Sequence, residues 1–190
     1  MGSKHKTKLL NLTEDHIREL LQASKYERAV TEIVSAFHES MYWVIRKLVL
    51  RHEDANDVLQ NTYVRIFKGL PKFRYQSAVK TWCYRIAYNE SMRHLEQQKK
   101  RGQLLPDGNF PDYWTQLCAD PYFDAHQADA HFQQLLGELT EDQRMVFSMK
   151  YYDELKFTEI AAVTGRNVNA IKTTYYAAKT ALTQQLKTAV

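Results

Sequence analysis

The residues best suited to chemistry in this chain lie between Phe157 and Lys179, FTEIAAVTGRNVNAIKTTYYAAK. That chemistry is recognition rather than bond making. One helix there exposes Asn169, Lys172, Thr173, Tyr176 and Lys179. Amide, ammonium and hydroxyl groups of this kind donate to phosphates and base edges in a major groove. The elements that must present them follow from the spacing. Ala161 is small enough for two helices to cross closely, and Gly165 occupies a turn that needs a positive φ. Asn167 caps the next helix and Ile171 points it into the core. The pattern predicts a helix-turn-helix and therefore a DNA partner, without saying which kind of DNA-binding protein carries it.

A second candidate is the segment from Lys68 to Arg101. Lys68, Lys72, Arg74, Lys80, Arg85, Arg93, Lys99, Lys100 and Arg101 face only Glu90 and Glu96, and Phe73, Tyr75, Trp82, Tyr84 and Tyr88 are interleaved with them. Basic side chains gain affinity for phosphates by releasing counterions, and aromatic rings offer stacking faces to unpaired bases. Two readings stand side by side. One is a solvated basic face over an aromatic core, which suits any single ring, Trp82 above all. The other is contact with single-stranded DNA, which the segment as a whole favours beside a helix-turn-helix.

Patterns for other chemistry are missing. There is no HxE…CxxC deaminase pattern, no Walker loop and no convincing carboxylate cluster. His126 and His131 are five apart, the wrong spacing for two ligands on one helical face, so neither a metal nor a cofactor is expected. Cys83 and Cys118 lack CxxC spacing and suit a reducing cytosol. The most apolar run, Met41 to Leu50, is broken by Arg46 and Lys47 and is too short to span a membrane, so a cytoplasmic protein with no membrane contact is expected.

A chain of 190 residues with 44% apolar content can build one large or two small cores, and its net charge of +4 is too small to diagnose a nucleic-acid binder without its distribution. Low glycine and proline content and helical periodicity predict an all-α fold. Ile33, Phe37, Met41, Ile45 and Leu48 form one stripe; Leu59, Tyr63, Ile66 and Leu70 form another, with Asp54 near its N-terminus and Pro71 stopping it. A third helix is expected from about Val79 to Lys100, with Trp82, Cys83 and Ile86 on its apolar side, and an earlier one near Glu14 to Tyr26. Between Gly102 and Leu136 the charge reverses: no Lys or Arg, five Asp, and several aromatic residues. This reads as an acidic linker that either docks or merely connects. Thr140 and Gln143 then form a candidate capping box. The expected organisation is an extension over 1–25, a bundle over 26–101, a linker over 102–134 and a helix-turn-helix domain over 135–190.

With these residues in place, the chain resembles the small extracytoplasmic-function (ECF) sigma factors of bacteria. DANDVLQNTYVRIF (Asp54 to Phe67) and FRYQSAVKTWCYRIAYN (Phe73 to Asn89) are similar to the family's region 2, and the stretch from Leu139 to Leu182 to its region 4. The resemblance implies two small helical domains joined by the acidic linker, no catalytic chemistry, and promoter-specific initiation. Asp54, Asp57, Gln60 and Asn61 would bind the β′ clamp helices of core RNA polymerase, with the β flap as a further contact. Phe73, Arg74, Tyr75, Gln76 and Ser77 would pocket a flipped base of the single-stranded −10 element. Asn89 would contact a base, Trp82 would hold the strands apart, and Lys80, Arg85 and Arg93 would meet phosphates. Lys150, Asn169, Lys172, Thr173, Tyr176 and Lys179 would read the −35 duplex. Thr174 and Ala177 stand where relatives commonly have Arg, which implies fewer bidentate guanine contacts. An anti-sigma protein is the usual further partner in this group. The competing classes are a polymerase-independent regulator, which would need neither the Asp54–Phe67 segment nor the basic aromatic one, and a DNA-acting enzyme.

Overall fold

The computed structural model describes residues 13–49, 51–101 and 135–188. Lys4 to Lys8 and the acidic segment with Cys118, His126 and His131 lie outside the described residues, as do the expectations placed on them. Among the described residues all regular structure is helical. Helix α1 covers 13–22. It is followed by α2 (Tyr26–Val49), α3 (His52–Gly69), a 3-10 turn (Leu70–Lys72) and α4 (Val79–Lys100). Residues 135–137 are helical and precede α5 (Glu141–Tyr151), α6 (Phe157–Thr164) and α7 (Val168–Thr188). None of the described helices is long and apolar enough to cross a membrane.

The stripes expected from periodicity are the buried faces. Ile33, Phe37, Met41, Ile45 and Leu48 of α2 meet Leu59 and Ile66 of α3 and Cys83 and Ala87 of α4. Trp82, Ile86 and Tyr63 are partly buried against that core. The helix expected over Glu14 to Tyr26 is corrected to two helices. α1 stops before a turn at 23–25, where Ser24 takes a φ of 56°. The N–H groups of Ser24 and Lys25 close α1 on the carbonyls of Leu21 and Leu20, at 3.0 and 2.8 Å. This is the Schellman pattern formed without glycine. α1 nevertheless belongs to the bundle, because Ile17, Leu20 and Leu21 are buried in the same core. Burial of each such aliphatic side chain contributes about 1.5–3 kcal/mol.

Glu14 on α1 does a second job. Its carboxylate accepts from the N–H of Val79 at 3.1 Å and from that of Lys80 at 2.9 Å. Ala78, the residue before α4, offers no side-chain cap. Glu14 therefore supplies from a distant helix the acceptor that the first turn of α4 lacks.

In the second unit the expected local signals hold. Thr140 and Gln143 form a reciprocal capping box at the start of α5. Gly165 sits at φ 70° after α6, and the Asn167 side chain accepts from the N–H of Asn169 at 2.8 Å. Ile171 and Ala161 are buried between the helices. Leu135, Leu136, Leu139, Phe147, Ala178 and Leu182 form a small cluster under α7. The two units pack against each other. Met145, Val146, Met149, Leu155 and Ile160 join the core of α2–α4, and α6 lies against α4.

Candidate nucleic-acid interface

Helix α4 divides into three faces by its 3.6-residue period. Val79, Cys83 and Ala87 face the bundle core. Lys80, Thr81, Tyr84 and Tyr88 face the second unit. The Lys80 ammonium donates to the Asp153 carbonyl at 3.0 Å, Thr81 donates to Glu159 at 3.3 Å, and the Tyr84 hydroxyl donates to the Asp153 carboxylate at 3.3 Å. The remaining face carries Trp82, Arg85, Asn89 and Arg93, and the last three are exposed. These four residues share one side of the helix. Arg93 donates to the buried Glu90 at 2.7 Å, and Glu90 also pairs with Arg65 of α3. This fork holds Arg93 at the edge of the face.

The loop before α4 carries an aromatic tier. Phe73 lies 4.9 Å from Trp82 and 5.1 Å from Tyr75, centroid to centroid. Trp82 in turn lies on Gly69, where an added Cβ would stand 2.9 Å from the indole Cζ2. Tyr75 is 39% exposed and takes a φ of 56°. A non-glycine residue in that conformation is uncommon and is held there by its surroundings. Arg74 and Gln76 are exposed beside it, and Ser77 is half-buried. Trp82 thus packs on the core and forms the floor of the loop, as the core reading of its spacing expects.

On α7, Asn169, Lys172, Thr173, Tyr176 and Lys179 are all exposed on one side, with Tyr176 at 55%. The Thr173 hydroxyl donates to the Asn169 carbonyl at 3.0 Å. Lys150 joins this surface through Phe157. Its ammonium donates to the Leu155 carbonyl at 3.1 Å and lies 5.3 Å from the Phe157 ring, which is 6.2 Å from Tyr176. Thr174 takes part in a different contact: Arg166 pairs with Asp142 and also donates to the Thr174 hydroxyl at 3.2 Å, tying the turn to the start of α5.

On α3, Asp57, Gln60 and Asn61 are exposed, whereas Asp54 turns toward α4 and is held by Gln98 at 2.9 Å and His94 at 3.4 Å. Sequence reasoning missed two members of the exposed face, Val64 (51% exposed) and Phe67 (46% exposed). A helical wheel finds them, because both fall off the Leu59–Ile66 stripe, on the side of Asp57 and Gln60. The exposed side of α3 therefore combines large apolar and polar side chains.

Several titrations are displaced by the packing. Burial lowers the pKa of Lys47 on α2, with Asp153 partly opposing it. Burial raises Tyr84, with Asp153 adding to the effect. Burial pushes Tyr63 up to about 12, with Cys83 contributing, and also raises Tyr88 and the Cys83 thiol.

A bundle with an open basic face, an exposed aromatic loop and a helix-turn-helix has counterparts among known proteins. The model for sigma-70 region 2 matches residues 33–101, and that for sigma-70 region 4 matches residues 131–182. The chain is 25% identical over 191 residues to the RNA polymerase sigma-H factor of Pseudomonas aeruginosa, covering 93% of this chain and 96% of that one. It is 24% identical over 167 residues to the ECF RNA polymerase sigma factor SigW of Bacillus subtilis, covering 84% and 89%. In fold it is similar to the sigma factor RpoE of Bartonella quintana, solved in complex with the anti-sigma factor NepR. The TM-score is 0.63 at 19% identity, over 83% of this chain and 96% of that one. The chain belongs to the sigma-70 family, in its extracytoplasmic-function group.

Proposed function

We propose that this chain engages core RNA polymerase through α3, captures the −10 strand on α4 and its preceding loop, and reads −35 duplex with α7. As a sigma factor it serves promoter-specific initiation of transcription. The observation that carries the finer reading is the α3 face, where Val64 and Phe67 stand exposed beside Asp57, Gln60 and Asn61. A regulator that binds DNA alone has no use for an apolar patch on the side of a bundle. A few well-packed anchors carry most of the binding energy of a protein interface, and aromatic side chains such as Phe67 are enriched at interface cores. Asp54 supports that face from behind, through its bonds to His94 and Gln98, and the clamp helices of β′ are the surface it fits.

On α4 the Phe73–Tyr75 tier supplies a stacking surface for an extruded base, whose cost of a few kcal/mol is offset by stacking and edge hydrogen bonds. Arg74, Gln76, Ser77 and Asn89 surround it with donors and acceptors. Arg85 and Arg93 take phosphates, as does Lys80 once it is free of Asp153. On α7, Lys172 and Lys179 take phosphates, while Asn169, Thr173 and Tyr176 reach base edges and Lys150 flanks them. The β flap takes the second unit, and an anti-sigma protein, as NepR is for RpoE, is a further partner. The protein performs no catalysis of its own and works in the cytoplasm with the polymerase.

Run-off transcription with bacterial core enzyme on genomic fragments tests the reading. New starts sharing −35 and −10 boxes are expected, together with co-elution with core. The pair Asp57→Ala, Gln60→Ala and the pair Val64→Asp, Phe67→Asp should each weaken core binding at least tenfold while helical content stays unchanged. Unchanged affinity for core in both pairs would remove α3 as the polymerase contact.

A further inference from the structure

Helices α3 and α4 meet along a seam whose contacts fall in order. Gly69 lies against Trp82 at the loop end, Arg65 meets Glu90 in the middle, and Asp54 meets His94 and Gln98 at the far end. The middle contact joins three charges. Glu90 is nearly buried, with its side chain 8% exposed, and its Oε1 accepts from two guanidinium groups, through Nε of Arg65 on α3 and Nη1 of Arg93 on α4. The two arginines are 51% and 46% exposed. Each thus gives one nitrogen to the carboxylate and keeps the rest of its donors in reach of solvent. Two positive charges share one negative charge, so an excess of positive charge stays at the surface.

Two guanidinium groups on one oxygen repel each other, and the anion between them keeps both in place. Because each is fixed by a charge-assisted bond, it has already given up much of the rotamer freedom that binding a ligand would cost. Arg93 belongs to the face of α4 that carries Trp82, Arg85 and Asn89. It stands about three turns of helix, or about 16 Å, beyond Trp82. Arg65 widens that face across the seam onto α3. Its Nε is taken by Glu90, which leaves both terminal nitrogens of the fork to meet a phosphate in bidentate fashion.

We infer that Glu90 is a positioning residue that holds Arg65 and Arg93 as one two-armed clamp for a backbone phosphate of the −10 strand, which makes Arg65 a DNA contact rather than a polymerase contact. This role rests on the reading of α4 as the −10 face and adds a second helix to it. It also has a sign opposite to that of plain charge. A carboxylate that acted only through its charge would repel a phosphate, so its loss would tighten binding. A carboxylate that aims two cations weakens binding when it is lost.

The test uses holoenzyme assembled from core RNA polymerase and the full chain. The probe is a fluorescein-labelled strand that wild-type holoenzyme selects, over core alone, from a random single-stranded DNA pool. Arg65→Ala should weaken strand binding about tenfold and lower the slope of log affinity against log salt by about 0.7, the share of one phosphate on a single strand. Its affinity for core should match wild type. Arg65→Lys should keep the slope but lose affinity, because a point charge replaces a fork. Glu90→Gln should weaken strand binding despite the added positive charge, with helical content unchanged. Arg65→Ala combined with Arg93→Ala should lose less than the product of the two single losses, since both arms hold one phosphate. Tighter binding by Glu90→Gln overturns the positioning role. Independent losses in the double variant overturn the shared phosphate, and they decide the matter alone if Glu90→Gln does not fold. A fall in core affinity with strand binding intact returns Arg65 to the polymerase and overturns the clamp. Arg85→Ala separates the clamp from the reading of α4. If wild type selects no strand, or Arg85→Ala binds as wild type does, that reading fails and takes the clamp with it. A loss in Arg85→Ala beside wild-type binding in Arg65→Ala overturns the clamp alone.

Discussion

Replacing Glu14 should destabilise the protein more than its place on a short N-terminal helix suggests. Its two carboxylate oxygens meet the N–H groups of Val79 and Lys80 at 3.1 and 2.9 Å, and the side chain is only 16% exposed. Loss of an N-cap acceptor costs about 1 kcal/mol, and a hydrogen bond to a charged group contributes about 1.5–3 kcal/mol. Water can reach the site in part and take over one of the two bonds, so Glu14→Ala should cost about 2–3 kcal/mol rather than the full sum. Arg18, at 4.0 Å and 41% exposed, adds little. Glu14→Gln keeps one acceptor and should lose about half as much.

Urea unfolding followed by tryptophan fluorescence reads this directly, since Trp43 and Trp82 both pack on the bundle that Glu14 closes. A second substitution sharpens the test. Ala78 precedes α4 at φ −56° and ψ 147° without a side-chain cap, so Ala78→Asp gives the helix a local acceptor. It should restore about 1 kcal/mol in the Glu14→Ala background and add almost nothing to wild type. Two results would refute the reasoning: a cost below about 0.5 kcal/mol for Glu14→Ala, or the same gain from Ala78→Asp in both backgrounds.

Gly69→Ala should destabilise by about 1–2 kcal/mol despite the better helix propensity of alanine, because the new Cβ would lie 2.9 Å from a Trp82 ring held by Phe73. A shifted Trp82 emission with lowered stability is expected; a net gain in stability would show that the ring moves freely. Lys172→Ala with Tyr176→Ala should weaken promoter binding but not core binding, and loss of the lysine should reduce the slope of log affinity against log salt by about one; an unchanged slope would remove Lys172 from the phosphates. Stability should fall with alkaline pH. Folded Cys83, Tyr63, Tyr84 and Tyr88 all hold their protons longer than the unfolded chain does. The unfolded state therefore releases protons first, from about pH 8.5 for the thiol and about pH 10 for the phenols, at up to about 1.4 kcal/mol per pH unit for each group. Lys47 works in the opposite sense: its lowered pKa means that stability rises as pH climbs through the folded value toward the unfolded one. Urea midpoints between pH 7.5 and 10.5 should decline more gently for Cys83→Ala and more steeply for Lys47→Met, and parallel curves for all three proteins would disprove the assignment.

The helices were legible because each stripe needs only its own period. The α2 stripe from Ile33 to Leu48, the bounds of α4, the capping box at Thr140 and the glycine turn at Gly165 all follow from residues within a few positions of one another. The outward positions of α7 follow in the same way, since Ile171 pins the opposite side. What was not legible depends on residues far apart in the chain. Glu14 caps a helix that begins 65 residues later, and nothing near Ala78 advertises the missing cap. The break at Ser24 was hidden because the closure uses backbone groups that carry no side-chain signature. Asp54 has the composition of an exposed acid but is tied to His94 and Gln98, partners on another helix.

The contact between the two units shows the same division most clearly. The second unit's Met145, Val146, Met149 and Ile160 are apolar for a reason that a single helical period cannot supply, because a helix-turn-helix of this size needs only part of that surface for itself. The excess is the signal of a neighbour, and the charges around it say which neighbour. Asp153 and Glu159 of the second unit accept from the Tyr84 and Thr81 hydroxyls of α4, and the Asp153 carbonyl accepts from the Lys80 ammonium.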